Sequence, residues 1–314
     1  MEPQSKTQMT EFSPKKRITE GGIAFSVAIV LYVVVAFIFQ LIAIAAGGAG
    51  ASETDWYKYL ALLLPQLCFA GAALLFFRRS KNALSPREVY APCKWWYFLL
   101  ALALQFGLLF ALGELNGLFL KLLERLGYTA SDSSVTDSMV AGWGLLPAIL
   151  IIALLPAIFE ETLFRGILSG SMKNSAWGTA ATVLVCGALF SLFHGNPEQT
   201  IYQFICGACY TLLAIRAGSI LPTVLAHFVN NAAVLIMGAV KGVAWTMPLT
   251  ASIVLGCIAG VMLIGVMTYL IFFDKKSNQK GGIKEGKAFF LSSAVGIVLC
   301  AALWISTLVM GITA

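Results

Sequence analysis

Charge is what this sequence has least of. Asp, Glu, Lys and Arg together make up 11% of its 314 residues, and it holds only two histidines. A soluble domain carries about a quarter charged residues, so a water-facing globule is excluded. Intrinsic disorder is excluded as well, because 59% of the residues are hydrophobic. There is no repeat of fixed period and no long polar stretch that would make a separate soluble domain. The seven cysteines form neither a disulfide framework nor a zinc pattern. Six of them (Cys68, Cys186, Cys206, Cys209, Cys257 and Cys300) lie inside apolar runs, and the pair at 206 and 209 lacks a second pair. All seven read as packing residues.

What is present is a series of long apolar runs. A helix needs about 20 apolar residues to cross the hydrocarbon core. Nine stretches approach that length: 22–47, 59–77, 95–118, 143–170, 177–195, 199–215, 220–240, 247–273 and 288–312. The fold class expected is all-α, a polytopic bundle of about eight or nine transmembrane helices with any active site inside it. A polar tail (1–21) precedes the spans, with Lys15, Lys16 and Arg17 at its end. The run after it is about twice too long for a signal peptide's apolar core, so it reads as a retained helix. Residues 22–142 hold the N-terminal spans, 143–240 a central core and 241–314 the C-terminal spans. An amphipathic piece is expected at Leu118–Leu126, followed by a polar outer loop over Tyr128–Asp137. The W-W-Y at Trp95–Tyr97 is an interfacial anchor.

Lys and Arg number 21 against 15 acidic residues. In a membrane protein this excess concerns topology, not nucleic acid. Sixteen of the 21 fall in alternate connections, chiefly 6–17, 78–94 and 275–287; only Lys58, Lys121, Arg125 and Lys241 fall in the others, and Arg165 lies within a span. The positive-inside rule then predicts a cytoplasmic N-terminus. The lysine-rich loop 274–287 reads as topology and headgroup attraction. The lipid bilayer is the expected partner, and a bacterial plasma membrane the expected location.

Ionisable groups inside spans are costly and mark function by default. They are Glu114, Glu160, Glu161, Arg165, His194 and His227, so both histidines are among them. Glu114 lies near the end of its span and reads as interfacial. In the fourth run, L-P-A-I-F-E-E-T-L-F-R-G, Glu160 and Glu161 point about 100° apart, whereas Glu161 and Arg165 share a face and suit an ion pair. That pairing leaves Glu160 as a lone carboxylate, the candidate general base. A structural charge cluster is the alternative. The fifth run ends F-S-L-F-H-G-N-P, with Phe190 and His194 on one face. A hairpin turning near residue 177, at K-N-S-A-W-G, brings Glu160 and His194 to one level. His227 lies only about seven residues from the inner end of its span, so Glu160 reads as deeper than His227 unless that turn projects into the cytoplasm. In the seventh run, L-P-T-V-L-A-H-F-V-N-N, His227 and Asn231 share a face, and Asn230 is the weaker candidate. Imidazole and carboxamide together suit oxyanion stabilisation, or a polar zipper between helices.

Glutamate, two histidines and asparagine suit hydrolysis of a peptide bond by an activated water. The same Glu and two His suit a zinc ion, although H-E-x-x-H is absent. No Ser or Cys beside a histidine offers a covalent route; Ser191 faces away from His194. E-E-x-x-x-R at Glu160–Arg165, F-x-x-x-H at Phe190–His194 and H-x-x-x-N at His227–Asn231, in this order, resemble the signature of the CPBP intramembrane proteases. That family includes the CAAX prenyl endopeptidases and the bacteriocin-processing (ABI) enzymes. The resemblance spans roughly 143–240 and includes F-R-G-I-L at Phe164–Leu168. It implies an intramembrane endopeptidase acting on a peptide or protein within or at the membrane. It further implies that Glu160 with His194 activates water, that His227 and Asn231 stabilise the oxyanion, and that Glu161 and Arg165 support them. No cofactor is implied by the family's glutamic-peptidase reading; its older metalloprotease reading keeps zinc as the alternative. A non-catalytic scaffold or self-immunity protein, and a proton-coupled transporter, are the competing functions.

Overall fold

The computed structural model describes residues 13–80, 84–130 and 135–313. The first twelve residues of the tail, residues 81–83, residues 131–134 of the polar loop after Tyr128 and the last residue lie outside the described residues. No strand occurs among those described. The helices are α1 (Pro14–Gly47), α2 (Asp55–Arg79), α3 (Trp96–Arg125), α4 (Gly142–Lys173), α5 (Thr179–Phe193), α6 (Thr200–Ala217), α7 (Leu221–Lys241), α8 (Leu249–Phe273) and α9 (Gly286–Thr313). All of these except α5 are long and apolar enough to cross a membrane, α6 being counted with the turn before it. The chain is an integral membrane protein built as an all-α polytopic bundle.

Three expectations change. The fifth run forms a helix of 15 residues, about 22 Å at 1.5 Å per residue, which falls short of the bilayer core. Its polar end, at His194, therefore sits inside the bundle. The piece 118–126 is not a separate interfacial helix, because α3 continues unbroken to Arg125. The first helix begins at Pro14, not at residue 22; Ser13 caps it by accepting from the Lys16 amide (3.3 Å). Glu114, expected near the end of its span, lies eleven residues before the end of α3, where it is exposed and accepts from the Ser252 hydroxyl.

Small residues let the helices approach, as lipid-embedded packing requires. α5 and α6 form an antiparallel hairpin, since Gly187 lies against Phe204 and Ala208 while Ser191 Oγ donates to the Thr200 carbonyl (2.7 Å). The helices cross at Gly187 and Gly207. A Cβ on Gly207 would stand 3.0 Å from Gly187 Cα, and one on Gly187 would stand 2.9 Å from the Phe204 carbonyl oxygen. Beside this crossing lies an aromatic core of Phe25, Phe69, Phe164, Phe190, Trp177 and Phe289.

The lysine-rich loop packs on the turn between α4 and α5. The Thr179 amide donates to the Gln279 carbonyl (3.0 Å), and the Trp177 indole N–H donates to the Lys284 carbonyl. The α6–α7 turn lies deeper. The Ile220 amide donates to the Val89 carbonyl (3.1 Å), and Val89 in turn packs against Gly166 of α4. His227 is thus only six residues along α7 yet meets Glu161, which is twelve residues from the end of α4. The difference, about 9 Å of helix rise, is the recess of the α6–α7 turn. It resolves the depth mismatch between Glu160 and His227.

α4 is continuous but not uniform. Two π-helical segments, Ile149–Leu154 and Thr162–Leu168, flank the seven α-helical residues that end in Glu160 and Glu161. Pro156 lies just after the first. It has no N–H, so an α-helix would leave the carbonyl of Ile152 without its donor four residues on. π-Bulges of this kind recur at functional sites.

Candidate active site

A cavity of about 330 Å³ opens among α1, α2, α4, α5, α6 and α7. Glu160, His194, His227 and Asn231 all line it. A larger cavity, about 400 Å³, lies between α3, α7 and the loop after α7; its walls are almost wholly apolar and carry none of these groups. The chemistry therefore belongs to the smaller one.

The two adjacent glutamates diverge as helical geometry demands. Glu160 faces the cavity and is nearly buried, at 5% exposure. It is not alone, however. The side-chain amide of Gln66, on α2 directly after Pro65, donates to Glu160 Oε1 (2.9 Å). Glu161 points to the far side of α4, with no exposed side-chain surface. Its Oε1 accepts from Arg165 Nη1 (2.8 Å) and from His227 Nδ1 (2.9 Å). Arg165 lies over the Phe190 ring at 4.1 Å and reaches the Gly207 carbonyl at 3.4 Å. The ion pair expected from the i,i+4 spacing is formed. The spacing did not reveal that Glu161 also grips His227, which joins α4 to α7.

Each histidine is oriented through Nδ1. A carbonyl only accepts, so His194 Nδ1 must carry the proton it donates to the Phe190 carbonyl (2.8 Å). In the neutral ring Nε2 then holds a lone pair. His227 Nδ1 likewise donates to the Glu161 carboxylate, leaving Nε2 as the ring's other nitrogen. Phe190 stacks edge-on against His194, with centroids 4.6 Å apart. The F-x-x-x-H spacing thus supplies both a ring contact and the carbonyl that fixes the tautomer.

Asn231 Nδ2 donates to the Ile152 carbonyl (2.9 Å), the group that Pro156 cannot serve. Asn231 Oδ1 accepts from Asn230 Nδ2 (2.9 Å). Asn230, read as the weaker candidate, is therefore part of the site. Its Oδ1 accepts from Gln105 Nε2 (2.6 Å) and the Tyr202 hydroxyl (3.0 Å), and Gln105 accepts from the Tyr210 hydroxyl. Gln66 and Gln105 went unnoticed in the sequence because the search started from ionisable groups and their neighbours on one helix face. Uncharged amides inside apolar runs were the signal that would have found them.

Among the described residues, no three His, Cys, Asp or Glu side chains gather closely enough to hold a metal ion. The seven cysteines are all free. Glu161 and His227 Nδ1 are committed to each other, which further limits any donor set.

The all-α membrane bundle thus encloses a buried carboxylate, two oriented imidazoles and a carboxamide, a set of groups that suits chemistry within a membrane. Residues 142–233 match the model of the Rce1-like family, described as type II CAAX prenyl endopeptidases. The matched stretch contains all three motifs and every charged group of the site. The match covers 92 of the 314 residues and supports, for this core, a likeness to the CAAX-protease (CPBP) family and a membrane peptidase of that general kind. No curated protein and no solved structure matched the chain.

Proposed function

We propose that this protein hydrolyses a peptide bond of a membrane-associated substrate with water activated by Glu160 and His194. The observation that carries the reading is the convergence of Glu160, His194, His227 and Asn231 on one buried cavity. Water held by Glu160 and His194 Nε2 gives up a proton to the Glu160 carboxylate as its oxygen adds to the substrate carbonyl. The carbonyl oxygen takes the negative charge. His227 and Asn231 face it as the stabilising groups, Asn231 through the amide hydrogen not spent on Ile152. Collapse of the tetrahedral intermediate breaks the C–N bond, and the proton passes to the departing amine. Gln66 holds the Glu160 carboxylate in place, and Glu161 with Arg165 holds His227.

The reaction so described uses no metal, and zinc is the alternative that the chelator arm below tests. The substrate class follows the family description: a peptide following a prenylated cysteine, or another peptide bond held at the bilayer. The positive-inside distribution supports a cytoplasmic N-terminus, and a bacterial plasma membrane is the proposed location.

The test is cleavage of a panel of prenylated and unmodified membrane peptides by purified protein, beside Glu160→Gln, with and without a chelator. Loss of a general base lowers the rate by about 10² to 10⁴. Cleavage that survives Glu160→Gln refutes the role of Glu160. Cleavage abolished by chelator and restored by zinc refutes the metal-free mechanism.

A further inference from the structure

Asn231 has two amide hydrogens to place. One goes to the Ile152 carbonyl (2.9 Å), and the other is left for the oxyanion. The orientation of this amide follows by elimination along a buried chain. A carbonyl accepts and never donates, so the atom of Asn231 beside Ile152 is Nδ2, which leaves Oδ1 facing Asn230. Asn230 meets it with Nδ2 (2.9 Å) and turns its own Oδ1 to Gln105 Nε2 (2.6 Å) and the Tyr202 hydroxyl (3.0 Å). Gln105 Oε1 then accepts from the Tyr210 hydroxyl. From Tyr210 through Gln105, Asn230 and Asn231 to Ile152, every donor points the same way.

The two donors to Asn230 are not equivalent. A hydroxyl can turn and accept, so Tyr202 suits Asn230 in either orientation, whereas an amide nitrogen only donates. Gln105 therefore carries the direction. It is 1% exposed, in the seam where Leu104 and Leu108 of α3 pack among Cys209 and Leu213 of α6. Turning over Asn231 or Asn230 alone sets nitrogen against nitrogen or oxygen against oxygen at both ends of that amide, and burial makes such a mismatch costly. Tyr202, Tyr210, Asn230 and Asn231 all line the catalytic cavity, but Gln105 does not. It stands behind the cavity wall, on a helix outside the matched residues 142–233.

We infer that Gln105 is a positioning residue for the peptidase step: through Asn230 it holds the Asn231 carboxamide with its free N–H directed at the developing oxyanion. The inference rests on the mechanism proposed above and adds a residue of α3 to it. With Gln105 replaced by an apolar side chain, Asn230 keeps only the ambivalent Tyr202 hydroxyl. Asn231 then loses the support that makes its reversal costly, and the oxyanion loses a preorganised donor. Substrate binding is left largely as it was, because Gln105 itself is out of reach of the cavity.

The test is a cycle of kcat and KM on the full-length protein with Gln105→Met, Asn231→Leu and the double variant. Expected is a fall in kcat of about tenfold for Gln105→Met, the size of a lost buried partner, with KM within about twofold. In the Asn231→Leu background the same change should lower kcat no further. A packing role takes the same factor in both backgrounds, so a factor that persists there overturns the inference, as does an unchanged kcat or a loss carried by KM. Tyr210→Phe, which removes one hydroxyl, is the second variant should Gln105→Met not fold; its loss should likewise vanish beside Asn231→Leu. Unfolding of the same variants in mixed micelles reads the chain without turnover. The double variant should be less destabilised than the two single ones summed, and strict additivity overturns the inference. Full kcat in Asn231→Leu refutes the oxyanion role of Asn231, and the inference with it. Loss of kcat in Asn231→Leu with additive Gln105→Met refutes the inference alone.

Discussion

Replacing Arg165 by Met keeps the length of the side chain and removes its charge. The structure sets the expected size of the effect. Arg165 and Glu161 meet at 2.8 Å, and neither side chain has water-exposed surface. Removing one member of such a pair costs about 3–5 kcal/mol, because it strands the other charge in a medium that cannot solvate it. Loss of the guanidinium over Phe190 adds to this, up to about 2 kcal/mol for a desolvated cation–π contact. Against it stands His227, which still donates to Glu161 (2.9 Å). The net expectation is about 3–5 kcal/mol, between two and four powers of ten in the folding equilibrium. The assay is reversible unfolding in mixed micelles as the denaturing detergent fraction rises. The double variant Glu161→Gln/Arg165→Met removes both charges. It should be less destabilised than the two single variants summed, with a coupling of about 1–3 kcal/mol. A cost below about 1 kcal/mol for Arg165→Met, or strict additivity in the cycle, would show that the pair is not the isolated buried contact described here.

Gln66→Leu removes the donor to Glu160; kcat should fall about tenfold or more, from the ~1–3 kcal/mol of a lost buried partner, with KM nearly unchanged. A fall in KM-linked binding alone would sink the positioning role. Asn231→Leu should lower kcat by about 10² to 10³ as an oxyanion donor is lost, and should also lower thermal stability by orphaning the Ile152 carbonyl. If stability falls and turnover does not, Asn231 only staples α7 to α4. Gly207→Leu places a side chain where a Cβ already meets Gly187 at 3.0 Å; thermal unfolding should come markedly earlier, by about 1–3 kcal/mol or more of overpacking. An unchanged transition would mean that α5 and α6 do not cross there.

The sequence determined whatever depends on composition and on neighbours along one helix. Scarce charge and long apolar runs set the membrane class and most of the spans. The i,i+4 rule set the Glu161–Arg165 pair and put Phe190 beneath His194, because residues four apart face the same way whatever surrounds them. Helical spacing also separated Glu160 from Glu161. Only the tertiary structure decided what meets across helices. Gln66 reaches Glu160 from 94 residues away, His227 reaches Glu161 from 66, and Gln105 reaches Asn230 from 125. Such pairs depend on the depth and rotation at which helices pack. Those in turn follow from close contacts such as Gly187 on Gly207 and from the recess of the α6–α7 turn under Val89. Hydropathy does not encode these features. It counted α5 as a ninth span because His194 and its neighbours continue an apolar run, whereas the helix ends at Phe193 and the turn after it stays inside the bundle. Nor does it show that Pro156 leaves a carbonyl for Asn231 to satisfy, since that need appears only when α7 is laid against the π-helical turn of α4.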